Sequence, residues 1–472
     1  MEANNTLSRQ FKAGSLLRYA MPSVFMMMIF SMYSVVDGMF ISKFVSTDAL
    51  AGLNIVFPIT NLLVAICIMI AHGGNAIISK YMGEGDMNKA RQVFTALPLV
   101  ALGFGGIIML FGLLYTTPIA YFLGANEATI DHAVAYGRTM LMFVPFSVLQ
   151  MMYQTYFVTA GKPHLGLILT LISGVTNVIL DYVFIIPCNM GIAGAALATC
   201  IGQSIPAIFG TLYFLFKRNG TLYYVIPKIS IRDLMKTLSN GSSEMLSNIS
   251  VAITTFMFNI EMREFLGEDG IAAVTIIQYT QFLLTSLFMG YSAGVAPVVG
   301  YKYGANDRKQ QKVIFKISMI FIGVASLIIF TLSMLLRGPL TQIFAEKGSN
   351  VYNLATYGFL LFAPSYLFVG YNIFASAYFT AFSNGFISAL LSFMRTLLFL
   401  IICLIVLPLI WKVNGVWLAV PVAEGLAIIL TIYFLIKYGK RYGYSCLKKD
   451  NVEDVPTNID ESDVDNINNS RE

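Results

Sequence analysis

Charge is what this 472-residue chain most lacks. Lys, Arg, Asp and Glu make up 12% of it and hydrophobic residues 57%, whereas soluble domains carry roughly 25% charged residues. With a mean hydropathy of +0.72, the composition excludes an ordinary soluble domain and predicts a polytopic membrane protein. The net charge of +5 comes with no basic module, so nucleic acid is excluded as a partner and the lipid bilayer is the expected surroundings. Cysteine is sparse. Cys67, Cys188, Cys200, Cys403 and Cys446 lie mostly in apolar stretches with no CxxC spacing. They read as small core residues, giving neither a disulfide framework nor a metal site. His72, His132 and His164 are scattered without ligand spacing. No GxxxxGK[ST] loop occurs, which disfavours ATP-driven chemistry. No convergent His/Asp/Glu or Ser/Lys set suggests an intramembrane enzyme, and no cofactor is expected. Residues 1–18 are polar and lack a short apolar run with a cleavage site, so the first apolar segment is read as a retained helix.

Long apolar runs are what the chain has instead. Twelve can be drawn, at 16–41, 50–79, 92–115, 130–160, 164–188, 192–217, 233–264, 271–301, 312–336, 351–382, 386–410 and 415–438. Each is long enough to cross a bilayer as a helix, and the interior prolines Pro22, Pro58, Pro145 and Pro364 are tolerated where neighbouring helices satisfy the freed backbone. Bases gather in alternate loops: Lys80, Lys89 and Arg91, then Lys162, then Lys217 to Lys236, then Lys302 to Lys312. Arg9, Lys12 and Arg18 precede the first segment, and Lys437, Lys440 and Arg441 follow the last. The positive-inside rule places both termini in the cytoplasm of a multi-pass cell-membrane protein.

The chain also repeats. Gly73 and Gly294, Gly83 and Gly304, Asp86 and Asp307, Pro187 and Pro408, and Gly194 and Gly415 all stand 221 positions apart. One ungapped offset across four helix pairs predicts two six-helix lobes related by an axis along the membrane normal, with a pathway between them. The expected divisions are a cytoplasmic N-terminus (1–15), an N-lobe (16–217), a cytoplasmic linker (218–232), a C-lobe (233–440) and a polar, acidic, disordered tail (441–472).

The repeat isolates the polar residues that belong to one lobe only. Asn177 and Asp181 are four apart in an apolar segment and so share one helix face. A carboxylate at membrane depth is costly and usually faces a wet cavity or a partner. Under the offset, Asn177 maps to Leu398, Asp181 to Ile402, Thr199 to Val420 and Asp37 to Phe258. A structural polar lock has no evident reason to be so one-sided, so a cation or proton site in the N-terminal half is expected. Two carboxylates sharing a poorly solvated site cannot comfortably both ionise. A proton could relieve them, or a Na+ held by carboxylate, amide and hydroxyl oxygens. That makes the chain an ion-coupled membrane transporter.

Val35-Val36-Asp37-Gly38-Met39-Phe40-Ile41, Leu50-Ala51-Gly52, Lys80-Tyr81-Met82-Gly83-Glu84-Gly85-Asp86, Asn177-Val178-Ile179-Leu180-Asp181, Gly194-Ala195-Ala196-Leu197-Ala198-Thr199 and Gly415-Val416-Trp417-Leu418-Ala419-Val420-Pro421 carry a resemblance over about residues 15–440. The chain resembles the multidrug and toxic compound extrusion (MATE) transporters, in the prokaryotic branch named for the DNA-damage-inducible protein F. The resemblance implies an all-α, twelve-helix, two-lobed antiporter that exports cationic amphipathic small molecules against inward H+ or Na+, acting as a monomer. It implies ion ligands at Asp37, Asn177, Asp181 and Thr199, a backbone ligand at Ala195, and a hinge at Pro22. Another branch places its acids in the C-lobe, which makes Glu244 a secondary candidate. A lipid-linked oligosaccharide flippase of the same superfamily is the alternative.

Other polar residues carry two readings each. Tyr33, one turn before Asp37, could line the cavity or simply pack. Gln150, Tyr153 and Gln154 could contact substrate or hydrogen-bond between helices. Arg395 and Glu424, of opposite sign at membrane depth, are read first as a structural pair and second as a substrate site.

Overall fold

In the computed structural model the described residues are 6–44, 47–127 and 129–444; of residues 34–44, 47–51, 54 and 58 only the backbone is described. Every regular element among them is helical. Eight helices build the first half: α1 (Ala13–Phe44), α2 (Thr47–Gly83), α3 (Met87–Leu114), the short α4 (Thr116–Phe122), α5 (Ile130–Met142), α6 (Val144–Thr159), α7 (Pro163–Ile185) and α8 (Gly191–Phe216). The second half holds α9 (Ile231–Gly304), α10 (Arg308–Leu335), the short α11 (Arg337–Gln342), α12 (Asn350–Phe362), α13 (Tyr366–Ala381), α14 (Gly385–Phe393), α15 (Phe399–Trp411) and α16 (Val413–Gly439).

Three sequence segments are broken where one span was expected. Residues 130–160 form α5 and α6, bent by 58° at Phe143, ahead of Pro145. Residues 351–382 are interrupted by a 3-10 turn over Ala363–Ser365, where Pro364 lacks the donor a continuous helix needs. Residues 386–410 contain a π-helical turn, Met394–Leu398, between α14 and α15. Two expected segments, 233–264 and 271–301, instead join in the 74-residue α9. At about 1.5 Å per residue such a rod would be several membranes long. It is broken at Gly267, whose φ of 66° suits a residue with no Cβ. The fold-back is visible at its ends: Tyr81 Oη donates to Asp233 Oδ1 at 2.6 Å, while Gly83 lies against Tyr301, so both ends of α9 meet the same end of α2. Among the described residues, ten helices and one bent pair are long and apolar enough to cross a membrane; with α9 counted as two limbs, these spans number twelve.

The repeat has a structural basis. Asp86 caps α3 by accepting from Lys89 N at 3.0 Å, and Asp307 caps α10 by accepting from Gln310 N at 3.1 Å. Gly85 and Asn306, also 221 apart, take the positive φ that tightens both turns. The halves meet along a seam of small residues at the end that carries Lys80 and Lys302. A Cβ at Gly83 would stand 2.0 Å from Tyr301 O, and one at Gly304 would stand 2.1 Å from Lys80 O; each contact is the repeat image of the other. Gly300 lies on Ser79, its own image, which places the pseudo-twofold axis there.

The described segments that flank the helices at either end are packed against them. Leu7 and Phe11 are buried, Phe11 N donates to Gln310 Oε1 at 2.8 Å, and Lys302 Nζ donates to Ser8 O at 3.0 Å. The segment before α1 is thus strapped to the second half. Tyr442 and Tyr444 are also buried, with Tyr442 stacked on Phe382 at 4.4 Å. The expected tail from 441 therefore begins with packed aromatics, and residues 445–472 lie outside the described residues.

Candidate functional site

The α7 sequence sorts into two faces. Gly166, Leu169, Thr170, Ser173, Gly174, Asn177, Asp181 and Ile185 form a buried stripe at three- and four-residue spacing. Ile168, Ile172, Val175, Ile179 and Tyr182 are exposed on the other face, as lipid contact requires. Asn177 and Asp181 thus sit on the interior stripe, 3% and 0% exposed. Helix α8 comes close because Gly202 has no side chain; a Cβ there would be 2.9 Å from Ser173 O and 3.3 Å from Asn177 Cβ. That approach brings Thr199 into reach, and Asn177 Nδ2 donates to Thr199 Oγ1 at 3.2 Å. Asn177 Oδ1 is buried and accepts no hydrogen bond among the described residues. Ala195, one turn before Thr199, is buried on the same helix.

Helix α1 covers α7. Tyr33 lies on Gly174, where a Cβ would be 3.1 Å from the ring, and Met26 lies on Gly166. The two contacts advance along both helices in the same sense, so one further turn reaches Asp37 on α1 and Asn177 on α7. The Asp37 side chain lies outside the described residues. Pro22 is buried within α1, which runs through it as one helix.

Tyr153 is fully buried and hydrogen-bonds Thr211 at 2.8 Å as well as Tyr224 of the linker, so it ties helices together. Gln150, Tyr153 and Gln154 line a small crevice with Gly166, Thr170 and Pro206, and the Gln154 Nε2 amide has no partner among the described residues. A larger groove lies between α2, α3, α5, α6 and α8 and includes Cys67, Ser147, Met151 and Gln203. Ser147 and Gln203 hydrogen-bond each other in it. Sequence reasoning missed this pair, whose only signal was polarity inside apolar segments.

In the C-lobe, Arg395 Nη1 is 3.3 Å from Glu424 Oε1, with side chains 13% and 9% exposed. Asn372 Nδ2 donates to Glu424 Oε2 at 2.6 Å, and Thr431 Oγ1 donates to Asn372 Oδ1 at 2.8 Å. The pair expected from the sequence forms, on the π-helical turn that re-aims Arg395. Glu244 faces His72 across the seam at 3.9 Å, away from both of these clusters in sequence and fold.

Comparison with known proteins agrees with this geometry. The MatE family model matches twice, over residues 22–183 and 244–405, once in each repeat. The multidrug export protein MepA of Staphylococcus saprophyticus is 25% identical over 90% of this chain and 95% of its own. MepA of Staphylococcus aureus strain N315 is 24% identical over 76% and 80%. Among solved structures, a MATE in complex with MaL6 superposes with a TM-score of 0.89 at 19% identity, covering 94% of this chain and all of that one. The outward-facing conformation of a multidrug resistance MATE transporter gives 0.88 at 19% identity, covering 94% and 99%. With two matched repeats, twelve spans in two lobes and a polar cluster buried at membrane depth, this chain is a member of the MatE family of membrane transporters.

Proposed function

We propose that the protein is a secondary active multidrug efflux antiporter, exporting organic cations in exchange for H+ or Na+ by alternating access. The observation that carries the reading is the one-sided cluster on α7 and α8: Asp181 and Asn177 on one buried stripe, with Thr199 held by the Asn177 amide. Asp37 completes the site from α1, supported by the Tyr33–Gly174 register, and the Ala195 carbonyl adds a backbone oxygen. Carboxylate, amide, hydroxyl and carbonyl oxygens suit a proton or a hard cation equally. The curated MepA relatives, named as multidrug exporters, support the efflux direction and a small-molecule substrate.

Coupling requires that ion and drug favour different states of the lobes. The seam is closed at the Lys80–Lys302 end, which the distribution of bases makes the cytoplasmic end. The structure is accordingly read as closed to the cytoplasm, with α1 able to bend at Pro22 when the ion site fills. Gln150 and Gln154 are the substrate-facing amides of this reading, and Tyr33 lines the passage between ion site and cavity.

The test is uptake of a cationic dye into proteoliposomes under an imposed pH gradient and, separately, an imposed Na+ gradient. Asp37→Asn and Asp181→Asn are run beside the wild type. Accumulation driven by one gradient and lost in either variant supports the antiporter and identifies the ion. Normal transport by both variants overturns the N-lobe site.

A further inference from the structure

Glycine contacts of the inter-lobe seam recur in pairs that the repeat superimposes. Gly73 of α2 meets Gly241 of α9, where a Cβ would be 2.8 Å from Gly241 N; 221 positions on, Gly294 meets Ala20 of α1 at 3.1 Å. The Gly83–Tyr301 and Gly304–Lys80 contacts match in the same way. The ion pairs between the halves do not recur: Lys89 and Asp233, 3.8 Å apart, map to Gln310 and Lys12. His72 Nδ1 stands 3.9 Å from Glu244 Oε1, whereas the images of these residues are Ala293 and Ser23. Ser23 is fully buried, and its hydroxyl has no hydrogen-bond partner among the described residues.

The second side of the seam therefore shows that close approach of the lobes needs no ions. An ionisable pair at membrane depth is expensive and marks a working part. The two groups belong to different lobes, and their side chains are 31% and 24% exposed, so protons can reach them. Among the described residues neither has another ion-pair partner. On the packed elements, Asp233 is taken by Tyr81 and Lys89, Lys80 by Glu84, and Lys302 by Asp307. Lys236 lies about two turns from Glu244 on α9. Arg18, Asp37 and Lys43 are the charged residues of α1, while α6, α13 and α14 contain neither acids nor bases.

We propose that His72 and Glu244 form a proton-operated latch across the seam. With the imidazole protonated and the carboxylate ionised, the pair holds α2 to α9 and keeps the Lys80–Lys302 end closed. Loss of the imidazole proton releases it, leaving the glycine contacts as the surface on which the lobes rock. The inference rests on the alternating-access reading above and adds a second proton-sensitive position outside the N-lobe cluster.

Hydrogen exchange on the full-length protein in lipid nanodiscs tests it, at about pH 5.5 and about pH 7.5, corrected for the intrinsic exchange rate. Peptides covering 66–80 and 235–248 report the seam. The wild type is expected to be about five-fold more protected at the lower pH. His72→Ala with Glu244→Ser copies the residues on the other side of the seam, so close packing is preserved and the pH difference should fall below about two-fold. A double variant that keeps the wild-type difference overturns the latch. Asp181→Asn, measured in parallel, should keep the difference; if it removes it, the N-lobe acid is the sensor and the latch is overturned. If Asp181→Asn transports normally while the pH difference in protection persists and the double variant loses it, the latch stands and the N-lobe coupling site falls.

Discussion

The two lobes share a fold but treat a buried acid differently. In the C-lobe, Glu424 is met by Arg395 and by the Asn372 amide. In the N-lobe, α7 and α8 contain no lysine or arginine anywhere between Lys162 and Lys217, and α1 has none between Arg18 and Lys43. Asp181 is instead one turn from an amide that binds a hydroxyl. A carboxylate supplied with its own cation is neutralised by the protein and stays put. The same scaffold thus gives one lobe a buried acid paired with an arginine and the other a buried acid on helices that carry no lysine or arginine, and only side chains at a few image positions differ.

The comparison can be broken most severely at Asp181. Asp181→Asn is expected to lower gradient-driven dye uptake roughly ten-fold or more while leaving thermal unfolding within about 1 kcal/mol of wild type. Loss of folding instead would make Asp181 a structural group like Glu424. In the other lobe, Arg395→Met should cost about 3–5 kcal/mol, because it strands a buried carboxylate. The double change Arg395→Met with Glu424→Gln should recover most of that loss in a thermal-melt cycle. Full additivity of the two single changes would mean the ions do not interact.

The seam offers a milder test. A methyl at Gly73 would lie 1.9 Å from Thr237 O, whereas one at its image Gly294 meets nothing nearer than 3.1 Å. Gly73→Ala should therefore destabilise by about 1–3 kcal/mol and Gly294→Ala by about 1 kcal/mol or less, both read from thermal unfolding. The smallest effect is expected at Thr199. Thr199→Val removes the oxygen that accepts from Asn177, worth about 1 kcal/mol, and should raise the driving-ion concentration for half-maximal transport several-fold. Val420→Thr, at the image position, should leave that concentration unchanged.

Much of this was legible without coordinates. The repeat offset, the apolar runs and the four-residue spacing of Asn177 and Asp181 are one-dimensional facts, and helical periodicity turns them directly into lobes, spans and a shared face. The Arg395–Glu424 pair could be expected because opposite charges at membrane depth seek each other. Other features were hidden. The segments 233–264 and 271–301 stand apart in the sequence, but that helix continues up to a break at Gly267 was not visible there, because hydropathy cannot distinguish a broken helix from a loop. Burial of Leu7, Phe11, Tyr442 and Tyr444 was missed because short aromatic-bearing ends look polar on average. Tyr153 carried two readings from the sequence, and its hydrogen bonds could not be seen there because Thr211 and Tyr224 are 58 and 71 positions away.

By itself, then, the sequence determined what composition and periodicity control: a membrane protein, its two-fold repeat, the gathering of its bases in alternate loops, and an Asn177–Asp181 face present in one half only. Those properties follow from transfer free energies and helix geometry, which act on neighbours along the chain. Only the tertiary structure decided which groups meet: Thr199 with Asn177, Glu424 with Arg395 and Asn372, and His72 with Glu244 across the seam. Such contacts depend on where glycines let backbones approach, and that distance is set by two helices at once.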